Sequence, residues 1–265
     1  MAEIADILKK IVRQRSLRLA EARAEQTFTQ PPRHPEIQTP ATNRFVRALS
    51  QQRGTAVIAE VKMGSPSLGS LVDQIQPLRQ ARTYANHGAA ALSVVVEPDF
   101  FHGSYELLAA CTDASGLPSI AKDFIVDPLQ LQWARHAGAS AVLLIAALYT
   151  PQELAQYARL ARCYDLVPLI ETHDSQDVSK LGDAEWELVG VNNRDLRNFK
   201  VGLETSQNLQ PSLPAGALKV SESGIHSHDD IELLRASGFD AYLIGEALLL
   251  ADDPGQKLLS FRGEL

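Results

Sequence analysis

Residues 55–61 read TAVIAEV, a short β-branched and apolar run with a carboxylate near its end. Seven comparable runs follow: AALSVVVE (90–97), LPSIAK (117–122), SAVLLIA (140–146), LVPLIE (166–171), ELVGVN (187–192), ALKVSE (217–222) and DAYLIG (240–245). Between them, segments such as PLRQARTYANHGA (77–89), DPLQLQWARHAGA (127–139), TPQELAQYARLARCY (150–164) and SHDDIELLRASGFD (227–240) carry apolar residues every three or four positions, the period of a helix buried on one side. Runs apolar at nearly every position suit strands covered on both faces, as in a parallel sheet flanked by helices. Parallel strands need right-handed crossovers, which leaves an open doubly wound sheet or a closed barrel. Eight units favour closure, so the reading is α/β, a single (β/α)8 TIM barrel.

Upstream of the first run, Ile4, Ile7, Leu8, Ile11 and Val12 recur at helical spacing within residues 4–24. Residues 30–40 carry four prolines and read as an extended connector, and a second helix is expected through residues 43–52 with Phe45, Val46 and Leu49 on its buried side. Residues 1–265 are therefore expected to form one barrel domain, with 1–53 as an N-terminal helical extension packed on it and contributing to the substrate mouth. The segments HGAAAL, HAGASAV and SGFDAY place a glycine between helix and strand, where a left-handed residue ends the helix.

A chain of 265 residues, 45% hydrophobic, is long enough to bury one large core. Its formal charge of −7 lacks the electrostatic footprint of a nucleic-acid or anionic-membrane binder, so an anionic substrate needs a local basic site. The two cysteines, Cys111 and Cys163, are too few and too far apart for a disulfide framework or zinc cluster and read as reduced thiols of a cytoplasmic protein. Asp6, Lys9, Lys10 and Arg13 interrupt the first apolar residues, so no signal-peptide core is read there, and no later stretch is long and apolar enough to span a membrane. A monomer is expected.

Ionisable residues sit at the carboxyl ends of the runs, where barrel enzymes assemble their active sites. The first ends in Glu60 and Lys62, the third in Lys122, the fifth in Glu171, the sixth in Asn192 and Arg194, and the seventh in Glu222 and Ser223. Taken singly, a charge after a strand is usually a solvated loop residue. Together they converge on one mouth, where partly buried charges must pair or meet a charged ligand. Ser223, Gly224 and Ile225 follow the seventh run, and Gly245 and Glu246 the eighth, which is the usual barrel location for a phosphate held by backbone amides. The stretch Gly64-Ser-Pro-Ser-Leu-Gly69 lacks the Lys-Ser or Lys-Thr pair of a nucleotide-binding loop; a lid carrying Ser65 as a phosphate ligand is the better reading.

The motifs Ile58-Ala-Glu-Val-Lys62 with Ser65-Pro-Ser67, Glu97-Pro-Asp-Phe-Phe-His-Gly-Ser104, Lys122-Asp-Phe124, Glu171, Val191-Asn-Asn-Arg-Asp195 and Glu222-Ser-Gly-Ile225 resemble, in order and spacing, those of indole-3-glycerol-phosphate synthases. The resemblance extends from Ile4 onward. It implies a carboxy-lyase of tryptophan biosynthesis that needs no cofactor or metal and acts on a small phosphorylated substrate. It further implies that Lys122 is the general acid of ring closure, which we expect to have a proton affinity lowered by neighbouring cations. Lys62 and Arg194 would hold the anthranilate carboxylate, and Glu171 would remove a proton during dehydration. Glu60 and Asn192 would position the lysines and substrate hydroxyls, and Glu222 would contact the sugar or the catalytic network. Ser65, Ser223, Gly224, Gly245 and Glu246 would hold the phosphate, and Phe101 and Phe124 would wall the aromatic ring; for these two phenylalanines, ordinary core packing is an equal alternative. Met63-Gly64, His102 and Ala121 depart from the commoner family pattern and bear on substrate affinity and lid motion. His102, His226 and His228 lack a recognised metal-ligand spacing.

Other phosphate-binding barrels, such as phosphoribosylanthranilate isomerase or the tryptophan synthase α-subunit, share the fold and phosphate site. Neither chemistry needs Lys62, Lys122 and Arg194 in this arrangement. A non-catalytic paralogue would have lost an acid, a base or a carboxylate binder.

Overall fold

The computed structural model describes residues 6–24, 43–66, 69–195, 197 and 199–264. The proline-rich connector at 30–40, Ile4 and Ser67 lie outside them. Eight parallel strands close into a barrel: Ala56–Val61, Ala91–Val95, Ser119–Lys122, Ala141–Ile145, Val167–Thr172, Leu188–Asn192, Leu218–Glu222 and Ala241–Ile244. Each pairs with the next, and the eighth returns to the first in the register Ala56↔Ala241 to Ala59↔Ile244. Every expected apolar run coincides with one of these strands to within a residue or two at either end. Gly88, Gly138 and Gly238 are left-handed at the ends of their helices, as the helix–glycine–strand spacing requires.

Side chains alternate across each strand, and the two sets form separate apolar cores. Val57, Ala59, Val61, Val94, Val142, Leu144, Ile170, Val189 and Tyr242 face outward into the layer shared with the helices. Ile58, Ile120, Leu143, Leu169, Leu188, Val220 and Leu243 face inward. Helices in the outer ring are started by local signals: Thr150 and Glu153 form a capping box ahead of Pro151–Cys163, and Ser227 and Asp230 another ahead of His228–Ala236.

The two N-terminal helices cover opposite ends of the barrel. Helix α2 (Arg44–Gln51) sends Phe45 and Leu49 against Ala56, Ala91, Ala141, Val167 and Ala241 at the strand starts, so it plugs the floor. Its N-cap Asn43 accepts from the amides of Phe45 and Val46 and donates to the carbonyl of Ser140, tying the plug to the loop before the fourth strand. Val46, expected on the buried side, is half-buried and packs against the same cluster. Helix α1 (Asp6–Ala24) lies at the other end. There Arg15 pairs with Asp123, Arg18 with Asp99 and Arg23 with Asp127, and Ile7, Leu8 and Ile11 line the cavity at the mouth. Of the expected N-terminal extension, α1 reaches the mouth and α2 does not.

Candidate active site

The inward register that carries the core also carries the charges. Two residues beyond inward Ile58 comes Glu60 and then Lys62; two beyond Ile120 comes Lys122; beyond Leu169, Glu171; beyond Val220, Glu222; beyond Leu243, Gly245. The last inward position is thus polar in five of the eight strands, with Val95, Ile145 and Gly245 at the ends of the other three, and a cavity of about 560 Å³ opens above the apolar layer. Glu60, Lys62, Ser65, Phe101, Lys122, Phe124, Glu171, Asn192, Arg194, Ser223, Gly224, Gly245 and Glu246 all line it, while Glu222 lies just beneath, with no solvent exposure.

Glu60 is the hub of the cations. Its Oε1 is 3.3 Å from Lys62 Nζ and its Oε2 is 3.3 Å from Lys122 Nζ, and Lys122 reaches Glu222 Oε2 at 3.4 Å. Burial opposes the charge of Glu60, but Lys122 and Lys62 outweigh it and hold the carboxyl below the usual range. The neighbourhood of Lys122 corrects the expectation of a lowered lysine. Burial alone would lower its proton affinity, but Glu60, Glu222 and Glu171 surround it and drive it upward. The cations near Lys122 are outnumbered by carboxylates, so it is a firmly held ammonium.

Two glycines leave space for these carboxyls. A Cβ at Gly190 would stand 2.3 Å from Glu222 Oε1, and one at Gly245 would stand 2.4 Å from Glu60 Oε1. Gly245 is therefore demanded by Glu60 itself. Gly224 is left-handed (φ 76°) and follows Ser223, itself left-handed at φ 68°. A Cβ at Gly224 would stand 2.5 Å from Val201 Cγ1. This tight loop is pinned from below by buried Asn193, whose amide donates to Ser221 Oγ at 3.0 Å and to the carbonyl of Ser223 at 2.9 Å.

Asn192 turns its Oδ1 to the amide of Arg194 at 3.0 Å. The Arg194 guanidinium lies 3.4 Å from Glu246 Oε2, a long contact with both side chains about a third exposed or more, weak enough to yield to a ligand carboxylate. Phe101 and Phe124 meet with ring centroids 5.9 Å apart, on the cavity wall rather than within the core clusters' buried interior. Phe101 is presented by a turn around buried Glu97, whose carboxylate accepts from the amides of Asp99, Phe100 and Phe101. Ser65 is buried in a two-stranded hairpin, Gly64–Ser65 against Gly69–Ser70. His102 packs beside Gly64, where an added Cβ would stand 2.6 Å from its ring.

All the expected site residues therefore meet at one mouth. Three others carry no role in the sequence reading: His173, which contacts Glu171; Asn193, quoted only as part of the Val191–Asp195 motif, which holds the Ser223 loop; and Gly190. A glycine inside an apolar strand was a visible sign of close approach. Asn193 and His173 needed the fold before their neighbours could be known.

The family model for indole-3-glycerol phosphate synthase matches residues 8–261. The chain belongs to the indole-3-glycerol phosphate synthase family. The indole-3-glycerol phosphate synthase of Acidithiobacillus ferrooxidans is 39% identical over 264 residues, covering 96% of this chain and 98% of that one. The synthase of Chlorobium phaeovibrioides is 44% identical over 215 residues, 81% and 83% of the two chains. Among solved structures, thiamine phosphate pyrophosphorylase from Pyrococcus furiosus superposes with a TM-score of 0.59 at 13% identity, covering 81% of this chain and 96% of that one, a likeness of fold alone.

Proposed function

We propose that this mouth binds 1-(2-carboxyphenylamino)-1-deoxyribulose 5-phosphate and converts it to indole-3-glycerol phosphate, CO2 and water, the carboxy-lyase step of tryptophan biosynthesis. The observation that carries the assignment of roles is the Lys62–Glu60–Lys122 array, two ammonium groups held 3.3 Å from one buried carboxylate.

Lys122 delivers its proton to the ribulose carbonyl oxygen as the ring carbon bearing the carboxylate attacks that carbonyl and the new carbon–carbon bond forms. The electron pair of the breaking carboxylate bond restores the aromatic ring, and CO2 leaves. Lys62 and Arg194 hold the carboxylate until then, Arg194 with a planar fork and Lys62 as a point charge. In dehydration the hydroxyl made in ring closure leaves as water with a proton from a lysine, and Glu171 takes the proton lost from the ring. Glu60 and Asn192 hold the lysines and the substrate hydroxyls, and Glu222 steadies Lys122. Phosphate binding falls to Ser65, Ser223 and Glu246 with the amides of Gly224 and Gly245, and Phe101 and Phe124 flank the aromatic ring.

Residues 1–53 act in this reading as an extension of a single barrel domain, with Ile7, Leu8 and Ile11 completing the mouth. No helix among the described residues is long and apolar enough to cross a membrane. We place the protein in the cytoplasm as a monomer, a reading supported by its two free cysteines for the compartment and by a mouth completed within one chain for the oligomeric state. The test is incubation of purified protein with the carboxyphenylamino deoxyribulose phosphate while following indole fluorescence. Product formation is expected, and none at saturating substrate would overturn the assignment.

A further inference from the structure

His173 follows the fifth strand two residues beyond Glu171, and its ring lies between two buried carboxylates. Nε2 is 3.2 Å from Glu171 Oε1 and Nδ1 is 3.5 Å from Asp177 Oδ2. Asp177 is itself fixed: it accepts from the His173 amide at 3.1 Å and from Lys180 Nζ at 3.0 Å, and Lys180 also donates to the carbonyl of Ala146 at 2.8 Å. Burial opposes a charge on the imidazole, but Asp177 and Glu171 outweigh it and raise its proton affinity to about 10, so the ring is an imidazolium at neutrality.

On the far side of Glu171 stands Glu222. Glu171 Oε2 and Glu222 Oε1 are both buried and have no donor among the described residues, and the two carboxyls are neighbours, since Glu222 Oε1 fills the space over Gly190, the residue that Glu171 pairs with in the register. Two ionised carboxylates cannot satisfy one another; a single proton between them satisfies both. The groups facing the pair decide where it rests. Lys122, from the third strand, is near both; Glu60, from the first, neutralises part of the charge of Lys122; His173 faces Glu171 alone, backed by Asp177 and Lys180. Burial and the charge of Glu171 push Glu222 upward, while Glu171 is held low despite its burial.

We propose that His173 is a positioning residue that keeps Glu171 the ionised member of the Glu171–Glu222 pair and leaves the proton on Glu222, so that only Glu171 is free to accept the proton lost in dehydration. This rests on the reading of Glu171 as the base. The arrangement gives up base strength for occupancy: a carboxylate beside an imidazolium is a weaker base but is always deprotonated when substrate arrives.

The test is the pH profile of single-turnover dehydration, read by indole fluorescence, for wild type, His173→Asn, Asp177→Asn and Glu171→Gln. Loss of the imidazolium moves the acid limb of His173→Asn upward by about 1 pH unit or more, with KM nearly unchanged. Asp177→Asn, which keeps the ring but removes its second carboxylate, leaves the imidazolium charged through the acid range, so its acid limb stays close to that of wild type while the titration of the ring itself moves to lower pH. In wild type, nitrogen NMR of the seven histidines shows one imidazolium that persists into the alkaline range. An acid limb of His173→Asn that coincides with that of wild type, or seven wild-type histidines that all titrate near the ordinary value, overturns the inference even where Glu171→Gln abolishes dehydration. If Glu171→Gln dehydrates as fast as wild type, the reading of Glu171 as base fails, and the inference with it.

Discussion

The guanidinium of Arg15 on α1 forms a buried two-nitrogen ion pair with Asp123, the residue directly after Lys122, with Nε 3.1 Å from Oδ1 and Nη2 2.5 Å from Oδ2. Asp123 also accepts from the Tyr105 hydroxyl at 2.8 Å and the Gln130 amide at 2.9 Å. One carboxylate therefore joins the helix over the mouth to the strand end that presents Lys122. Arg15→Met leaves that carboxylate buried without its cation, a loss of about 3–5 kcal/mol. We expect a lower denaturation midpoint and a fall in kcat/KM that deletion of residues 1–42 reproduces while the barrel stays folded. Unchanged kcat/KM in a well-folded truncation would show that α1 does not serve the mouth.

Gly190 faces inward beneath Glu222. Gly190→Ala drives a methyl into the space of Glu222 Oε1, and such overpacking costs about 1–3 kcal/mol. Displacement of the Glu222 side chain disturbs Lys122, so kcat falls; if the adjoining Ser223–Gly224 loop, held by its own hydrogen bond from Asn193, is the phosphate site, binding of inorganic phosphate is retained. Equal losses of turnover and phosphate affinity would argue for general disruption of the barrel.

The fold was legible because strand and helix periods differ and repeat eight times, and because a charge at the end of an apolar strand has few places to go. The pairing of those charges was not legible. The sequence expectation put cations beside Lys122, whereas Glu60 and Glu222 arrive there from strands far apart in the chain. The opposite placements of α1 and α2 were likewise hidden, since both are amphipathic and only the partners of Phe45 and Arg15 distinguish floor from mouth.

Gly224 is left-handed and faces Val201, so Gly224→Val meets both backbone strain and a close contact. The Ser223 loop should shift, raising KM strongly and weakening inorganic phosphate in proportion. If both ligands bind the variant as tightly as wild type, the phosphate lies elsewhere.

Lys122→Met leaves Glu60 with Lys62 as its remaining close cation and removes the ammonium beside Glu222. In wild type the Glu60 carboxyl is held below its unfolded value, so its contribution to stability is present above about pH 4.3 and is lost as pH falls through the folded value. Removal of Lys122 erases much of that contribution. The stability deficit of Lys122→Met, measured by denaturant unfolding, should be largest near neutrality and shrink as pH drops through the carboxylate range. A deficit independent of pH would mean that Lys122 contributes packing and not charge.

Lys122 and Lys62 share Glu60 but rise from different strand ends, so they meet the substrate from different sides. If Lys122 supplies the proton of ring closure, Lys122→Met removes a transfer worth about a hundredfold to ten-thousandfold in rate while leaving the phosphate and carboxylate contacts in place. If Lys62 holds the anthranilate carboxylate, Lys62→Met instead deprives it of a charged partner worth roughly 1.5–3 kcal/mol, so affinity falls along with rate. Single-turnover kinetics measures the first effect, and direct binding of a non-reactive substrate analogue measures the second. Because Glu60 loses a cation in either variant, Glu60→Gln should impair both quantities at once. Intact ring closure with weakened analogue binding in Lys122→Met would exchange the two roles.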